Sequence, residues 1–143
     1  QRLSKKYFLL FRAHPIYKNF DFSLSNGFCM DVSDYSNNVE IMAVSDILIS
    51  DYSGIFFEYA VLERPMFCFC YDYDLYSNER GLYFDLRKEI ESFDDEEKLI
   101  DAIERDHMSV NIELVKKFKK KYIFINGNST LMCVNDIYNS ISR

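Results

Sequence analysis

The chain has 143 residues, of which 48% are hydrophobic and 17% aromatic, a composition that suits one packed domain and excludes a disordered segment. The net charge of −6 argues against a nucleic-acid partner, because such binding draws most of its affinity from Lys and Arg contacts with phosphates. Three of the four cysteines lie inside apolar runs, so we expect a reduced, cytosolic protein, and because no second pair stands at metal-site spacing we expect no zinc site. We expect no cofactor.

Short apolar runs bounded by polar or turn residues predict strands at residues 7–11, 27–31, 47–50 and 66–71. Helical periodicity or a capping residue predicts helices at residues 38–44 and 53–62, a helix that opens at residues 94–97, and helices at 110–121 and 128–141. Strands that alternate with helices are typical of a parallel sheet with right-handed crossovers. The sequence therefore predicts an α/β fold over residues 1–143, a doubly wound parallel sheet with a helical C-terminus.

The two C-terminal helices are each expected to bury an apolar stripe. The stripe of the first contains Leu114, Val115 and Phe118, and that of the second contains Leu131, Val134, Ile137, Tyr138 and Ile141. The first also carries a lysine-rich run at residues 116–121. This run is either a solvated helix face or a peripheral contact with an anionic membrane surface.

The first predicted strand ends in Arg12-Ala-His14-Pro15. Because the residue before a proline is held extended, His14 should lie at the tip of the strand, with Arg12 on the same face. Ligands of open α/β sheets bind at such carboxyl ends, so the two cations are candidates for contact with a diphosphate. The alternative is that His14 caps a neighbouring carbonyl, while His107 is expected to be a solvated helix C-cap.

The third predicted strand is followed by Asp51-Tyr52-Ser53-Gly54 and then by helical periodicity. Ser53 or Asp51 is the expected N-cap, and the first amides of the helix offer a seat for a phosphate. Gly54 would let a ligand approach the backbone closely, and Glu58, one turn further on, could reach a ribose. The alternatives are that Asp51-Tyr52-Ser53-Gly54 is an ordinary helix cap and that Glu58 is a surface carboxylate.

Two other polar segments keep different functions open. Asp72 and Asp74 follow the fourth predicted strand, and with Asp51 they could hold Mg²⁺ in a phosphohydrolase. Residues 78–83 read as a loop that exposes Arg80, a further candidate phosphate ligand. A third hypothesis is a non-catalytic, flavodoxin-like module whose aromatic residues serve an interface.

Several segments together resemble a known family, although each is short. They are Arg12-Ala-His14-Pro15, Ser45-Asp46-Ile-Leu-Ile-Ser50-Asp51-Tyr52-Ser53-Gly54-Ile-Phe-Phe-Glu58, Glu63-Arg64-Pro65, Tyr71-Asp72, Tyr76, Arg80-Gly81, Tyr83, Asp85 and Asn126-Gly127-Asn128-Ser129. In order and spacing they are similar to the CDP-glycerol glycerophosphotransferases that polymerise teichoic acids and decorate capsular polymers. The similarity runs from about Tyr7 to Ile141.

The resemblance implies a two-domain GT-B transferase, of which this chain would be the Rossmann-like, nucleotide-binding second half. Such an enzyme transfers glycerol phosphate, or a similar polyol phosphate, from a CDP-linked donor to a polyol or polysaccharide acceptor and releases CMP. The acceptor would bind to a preceding domain, and the full-length protein would work at the cytoplasmic face of the membrane. The isolated fragment is expected to bind nucleotide without catalysing transfer.

The resemblance also implies roles for individual residues. His14 and Arg12 would be catalytic, stabilising the charge that grows on the leaving CMP. The residues expected to bind substrate are Asp51, Ser53, Gly54, Glu58 and Arg80. The family commonly has a second serine in place of Gly54, an aspartate in place of Glu58 and Asp-Gly in place of Asn126-Gly127. Those departures leave CDP-ribitol, or a nucleotide sugar and hence a glycosyltransferase half, as alternatives.

Overall fold

The computed structural model describes residues 2–14, 27–105, 108–124 and 127–142, which form five short strands and six α-helices. The strands are β1 (Leu9–Phe11), β2 (Cys29–Asp31), β3 (Leu48–Ser50), β4 (Met66–Phe69) and β5 (Ser92–Phe93). The helices are α1 (Asn38–Val44), α2 (Ile55–Tyr59), α3 (Tyr73–Arg80), α4 (Glu96–Glu104), α5 (Ser109–Tyr122) and α6 (Ser129–Ile141). Pro15, His107 and Asn126, for which the sequence makes predictions, lie outside the described residues.

All strand pairs are parallel, which confirms the predicted α/β fold. β1 pairs with β2, with Leu10 opposite Met30, and β4 lies between β3 and β5 in a three-stranded sheet. Among the described residues the strands thus divide into two hydrogen-bonded groups. The connections from β3 to β4 and from β4 to β5 pass through α2 and α3, as parallel pairing requires.

Helices cover both faces of β4, as a doubly wound sheet demands. Alternate residues of the strand point to opposite sides, so Met66 and Cys68 enter one core cluster and Phe67 enters another. The first cluster contains Phe56, Tyr59, Val115 and Phe118 from α2 and α5, and the second contains Leu99, Ala102 and Ile103 from α4. Tyr7 and Ile47, which precede β1 and β3, pack against the second cluster, so both strands begin beside it.

Helices with a clear capping residue begin where the sequence predicts. The Asn37 side chain accepts hydrogen bonds from the amides of Val39 and Glu40, and α1 has the predicted bounds. The Asp95 carboxylate accepts from the amide of Lys98 at 3.0 Å and opens α4. In both helices a side-chain oxygen replaces the carbonyl that the first amides lack.

The prediction of a loop over residues 78–83 is wrong for residues 78–80, because α3 continues to Arg80. Gly81 follows at a φ of 73°, and its amide donates to the carbonyl of Ser77. That left-handed region favours glycine and ends the helix. The eight residues of α3 are all at least partly exposed, and the helix buries no apolar stripe. Its sequence therefore has no reason to carry the apolar periodicity by which a helix is recognised.

The predicted burial of the α6 stripe is also wrong. Every residue of α6 is exposed, and Leu131, Ile137 and Ile141 keep 61%, 62% and 77% of their surface accessible. The stripe of α5, by contrast, is covered as predicted at Val115 and Phe118, while Leu114 is half-buried. The apolar stripe of α6 therefore forms a continuous face for which the described residues supply no cover.

Candidate functional site

The loop Asp51–Gly54 joins β3 to α2 and is exposed at three of its four residues. Gly54, rather than Ser53 or Asp51, occupies the capping position, with φ −63° and ψ −11°. The Ser53 hydroxyl nevertheless accepts a hydrogen bond from the amide of Ile55 at 3.3 Å. No described atom lies within 4 Å of the place a Cβ on Gly54 would occupy, so a ligand can approach the backbone there.

Side chains from the next strand and helix contact this loop. The Cys68 thiol donates to the Asp51 carbonyl oxygen at an S–O distance of 3.4 Å, and burial raises the pKa of Cys68 to about 12, so the thiol keeps its proton. The Tyr52 hydroxyl donates to Asp72 Oδ1 at 2.9 Å, and the Tyr52 ring stacks on Tyr76 with centroids 4.1 Å apart. The sequence gives no direct signal for these contacts, because the partners are distant along the chain.

At the end of β1, the Arg12 side chain forms hydrogen bonds with the connection between β2 and α1. Its Nη1 donates to the carbonyl oxygens of Val32 at 3.1 Å and Tyr35 at 2.7 Å. The amide of Ala13 donates to the Ser33 hydroxyl in the same connection. The observed contacts of Arg12 are thus with backbone, while the side chain of His14 is exposed at the carboxyl end of the strand, as predicted.

Glu58 and Arg80 are both exposed, on α2 and at the last position of α3. The Arg80 guanidinium lies 6.0 Å from the centroid of the Tyr76 ring, on which Tyr52 also stacks. Arg80 is therefore connected to the Asp51–Gly54 loop through two aromatic rings. Arg80 thus lies on a helix rather than on the predicted loop.

The three carboxylates proposed for Mg²⁺ are not grouped as metal ligands. Within the described part of the chain, which includes Asp51, Asp72 and Asp74, no cluster of three such residues could hold an ion. Asp72 instead accepts the hydrogen bond of Tyr52. The phosphohydrolase alternative therefore loses the ligand set on which it depends.

An open groove of about 530 Å³ lies at the carboxyl ends of β4 and β5. Its polar lining includes Asp72, Asp74, Asp94 and Arg87. The Arg87 guanidinium lies 3.3 Å from the centroid of the Tyr73 ring and binds both carboxylate oxygens of Asp85 at 2.9 Å. The groove adjoins the loop through Asp72, and sequence reasoning had singled out neither Arg87 nor this cation–ring contact.

Carboxylates pair with much of the lysine run of α5. Lys116, Lys119 and Lys121 form ion pairs with Glu113, Glu63 and Glu89 at 2.6 to 2.8 Å. These pairs reduce the charge available to an anionic surface, and membrane contact and cytoplasmic location both stay predictions. No helix in the described ranges has the length and apolar character needed to cross a bilayer.

Sequence comparison gives matches along almost the whole chain. Residues 1–139 match the family described as CDP-glycerol:poly(glycerophosphate) glycerophosphotransferase. The chain is 33% identical over 145 residues to the teichoic acid glycerol-phosphate primase of Bacillus subtilis (strain 168), covering 99% of this chain and 37% of that protein. It is 43% identical over 91 residues to the teichoic acid poly(glycerol phosphate) polymerase of the same strain, covering 62% of this chain and 12% of that protein.

The teichoic acid ribitol-phosphate polymerase TarK of Staphylococcus aureus (strain NCTC 8325 / PS 47) is 33% identical over 137 residues, which cover 91% of this chain and 26% of TarK. The chain thus spans 12% to 37% of the length of these three relatives. Among solved structures, the wall teichoic acid polymerase TagF superposes with a TM-score of 0.82 at 27% identity, over 97% of this chain and 36% of TagF. A TagF variant soaked with CDPG gives a TM-score of 0.81.

Proposed function

Because the chain belongs to the CDP-glycerol:poly(glycerophosphate) glycerophosphotransferase family, we propose that it is the donor-binding part of a polyol-phosphate transferase. The enzyme would move glycerol phosphate, or a similar polyol phosphate, from a CDP-linked donor to a cell-surface polymer and release CMP. The observation that carries the proposal is the family match over residues 1–139. The TagF variant soaked with CDPG, similar over nearly all of this chain, supports a CDP-linked donor.

The exposed loops at the ends of β1 and β3 have the chemistry that this reaction needs. Phosphoryl transfer depends on positioning the donor and on neutralising the charge that develops on the leaving group. Ser53 and Gly54 would hold the diphosphate with hydroxyl and backbone amides, and His14 would donate a hydrogen bond or a proton to the departing CMP. Arg12 would hold the adjoining connection in place and add positive charge nearby.

Three further exposed residues complete the proposed site. Glu58, one turn into α2, would accept a hydrogen bond from a ribose hydroxyl. Asp51 is the first residue of the Asp51–Gly54 loop, which would hold the diphosphate. Arg80, beside the Tyr76 ring, would approach a phosphate. A glycosyltransferase half with a nucleotide-sugar donor would use the same loops, so the donor must be identified by measurement.

We assign the acceptor site to a part of a longer protein outside this chain. The relatives are longer than the chain, which covers 37% of the primase and 36% of TagF. The exposed apolar face of α6, defined by Leu131, Val134, Ile137, Tyr138 and Ile141, supports this domain organisation. A face of that kind needs a cover, and the acceptor-binding half would supply one.

The α6 face gives a first prediction. Replacing Leu131 and Ile137 by lysine should leave the Tm of the isolated chain within about 2 °C, because both side chains are exposed. In the longer protein the same pair of changes should lower Tm by roughly 5 °C or more, because it buries two charges between domains. Calorimetry of both proteins measures the two shifts.

The matched control for that prediction is Val39→Lys, which puts a lysine at an exposed apolar position of α1. It should change Tm little in either protein. An equally small shift for the α6 variant in the longer protein would contradict the domain arrangement.

Calorimetric titration of the chain with CDP, UDP and CMP, with and without Mg²⁺, tests the proposed function. We expect CDP to bind without a divalent ion, and to bind more tightly than CMP because the second phosphate adds contacts to the loop. Binding that requires Mg²⁺ would favour a phosphohydrolase, and no binding of any nucleotide would favour the non-catalytic module. A preference for UDP over CDP would indicate a nucleotide-sugar donor.

A further inference from the structure

The conformation of the Asp51–Gly54 loop is fixed from outside the loop. The Tyr52 side chain is half-buried, with its ring against Tyr76 at an interplanar angle of 27° and its hydroxyl 2.9 Å from Asp72 Oδ1. On the other side, the Cys68 thiol holds the Asp51 carbonyl oxygen. Two consecutive residues of the loop are thus anchored to β4 and α3.

The use that Asp72 makes of its carboxylate is unusual for its position. It occupies the N-cap of α3, where an aspartate ordinarily accepts hydrogen bonds from the first amides of its own helix. Among the described residues its side chain makes no such capping bond, and it accepts instead from a tyrosine twenty residues earlier. The Asp72 carboxylate, which could cap α3, thus binds Tyr52 in the loop that follows β3 instead.

The Tyr52 hydroxyl is suited to be a permanent donor. A tyrosine hydroxyl already keeps its proton at physiological pH, and burial and the neighbouring carboxylate of Asp72 raise the pKa of Tyr52 further. A hydrogen bond to an ionised acceptor is stronger than a neutral one. The pair can therefore hold the loop in one conformation whether or not a ligand is present.

We infer that Tyr52 and Asp72 are positioning residues for nucleotide diphosphate binding, and that their hydrogen bond preorganises the Asp51–Gly54 loop to face the phosphates. This inference rests on the proposed function, which makes that loop the diphosphate cradle. Donors that are already oriented lose less conformational freedom when the ligand binds. Neither side chain has to touch the nucleotide for its loss to weaken binding.

The test is the affinity of the chain for CDP, measured by calorimetry. Tyr52→Phe keeps the ring and its contact with Tyr76 but removes the hydroxyl, and it should weaken CDP binding about tenfold. Asp72→Ala should have a similar effect, and the double variant should be little worse than either single change because both remove the same bond. Asp72→Asn retains an oxygen that can accept from Tyr52, so it should restore affinity to within about threefold of wild type.

Tyr7→Phe is the matched control. It removes a tyrosine hydroxyl that donates to the carbonyl oxygen of Ile103 at 3.1 Å, beside the second core cluster. We expect it to lower Tm as Tyr52→Phe does, while CDP affinity stays at the wild-type value. The control separates a loss of general stability from a loss of loop position.

Two outcomes would overturn the inference, and they can be told apart. If Tyr52→Phe lowers Tm but binds CDP like wild type, the pair is structural only, and the proposed function stands. If the wild-type chain itself does not bind CDP, the proposed function fails, and this inference fails with it. Tyr52→Phe removes a single oxygen atom, so the comparison does not depend on whether Asp72→Ala folds.

Discussion

His14→Ala should lower the rate of glycerol phosphate transfer by the longer protein about a thousandfold, the range expected for loss of a group that donates a proton in the transition state. Negative charge accumulates on the phosphate of CMP as the bond to glycerol phosphate breaks. In the proposed mechanism, the imidazole of the exposed His14 at the end of β1 would neutralise it. Release of CMP, followed under saturating CDP-glycerol, measures the effect.

Two comparisons make that result specific. The chain has two histidines, and because the sequence predicts a solvated helix C-cap for His107, His107→Ala should leave the rate within about twofold of wild type. His14→Gln, which keeps a hydrogen-bond donor but carries no charge and cannot transfer a proton near neutral pH, should recover only the part of the rate that a hydrogen bond to the leaving phosphate supplies. A His14→Ala enzyme with wild-type turnover would remove His14 from the mechanism.

Asn111→Ala should destabilise the chain by about 3 kcal/mol, because it leaves buried backbone groups without partners. The Asn111 side chain accepts from the Met66 amide at 2.9 Å and donates to the Met66 carbonyl oxygen at 3.1 Å. It also donates to the Glu91 carboxylate at 2.8 Å. The expected fall in Tm is roughly 10 °C for a chain of this size, measurable by calorimetry.

The position of Asn111 explains the size of that effect. The Cys68 backbone amide donates to the Glu91 carbonyl oxygen, which pairs β4 with β5. The backbone amide and carbonyl of Met66, two residues earlier, face the same edge of β4, but β5 does not extend far enough to pair with them. The Asn111 amide takes the place of a neighbouring strand there. Asn135→Ala, at an exposed position of α6, is the control and should change stability by less than about 0.5 kcal/mol. An equal loss in both variants would contradict the account of Met66.

The strands and most helices could be predicted because their signals are local. The run that becomes β3 is apolar and ends at small polar residues, and α1 follows Asn37, whose side chain caps it. Helix α3 and the two-residue β5 have no such signal. The polar segment Tyr73–Arg80 buries no apolar stripe, and Ser92–Phe93 is recognisable only by its pairing with β4.

Helix α6 shows what periodicity leaves undetermined. Its apolar residues recur on one face, and this spacing predicts a helix between the observed bounds to within a residue. Periodicity does not say which surface covers that face, and the described residues of this chain do not supply one. Burial depends on contacts between distant parts of a polypeptide. The apolar spacing of α6 therefore predicted more burial than the described residues provide.

The candidate site also combines features that local sequence predicts with contacts that it cannot predict. Placing His14 and Ser53 at the ends of strands required only strand boundaries and the constraint from Pro15. The contacts of Arg12 with the Val32 and Tyr35 carbonyl oxygens, and that of Tyr52 with Asp72, join residues about twenty positions apart. Such pairs arise only when the parallel units pack side by side, so the sequence could not reveal them.

The central claim is that the loops after β1 and β3 bind one diphosphate. A crystal structure of the chain with CDP tests it most directly. We predict that the His14 imidazole and the amides of Ser53 and Gly54 all lie within hydrogen-bond distance of the same pyrophosphate group. A complex in which CDP touches only one of these loops, or binds elsewhere on the chain, would contradict the account.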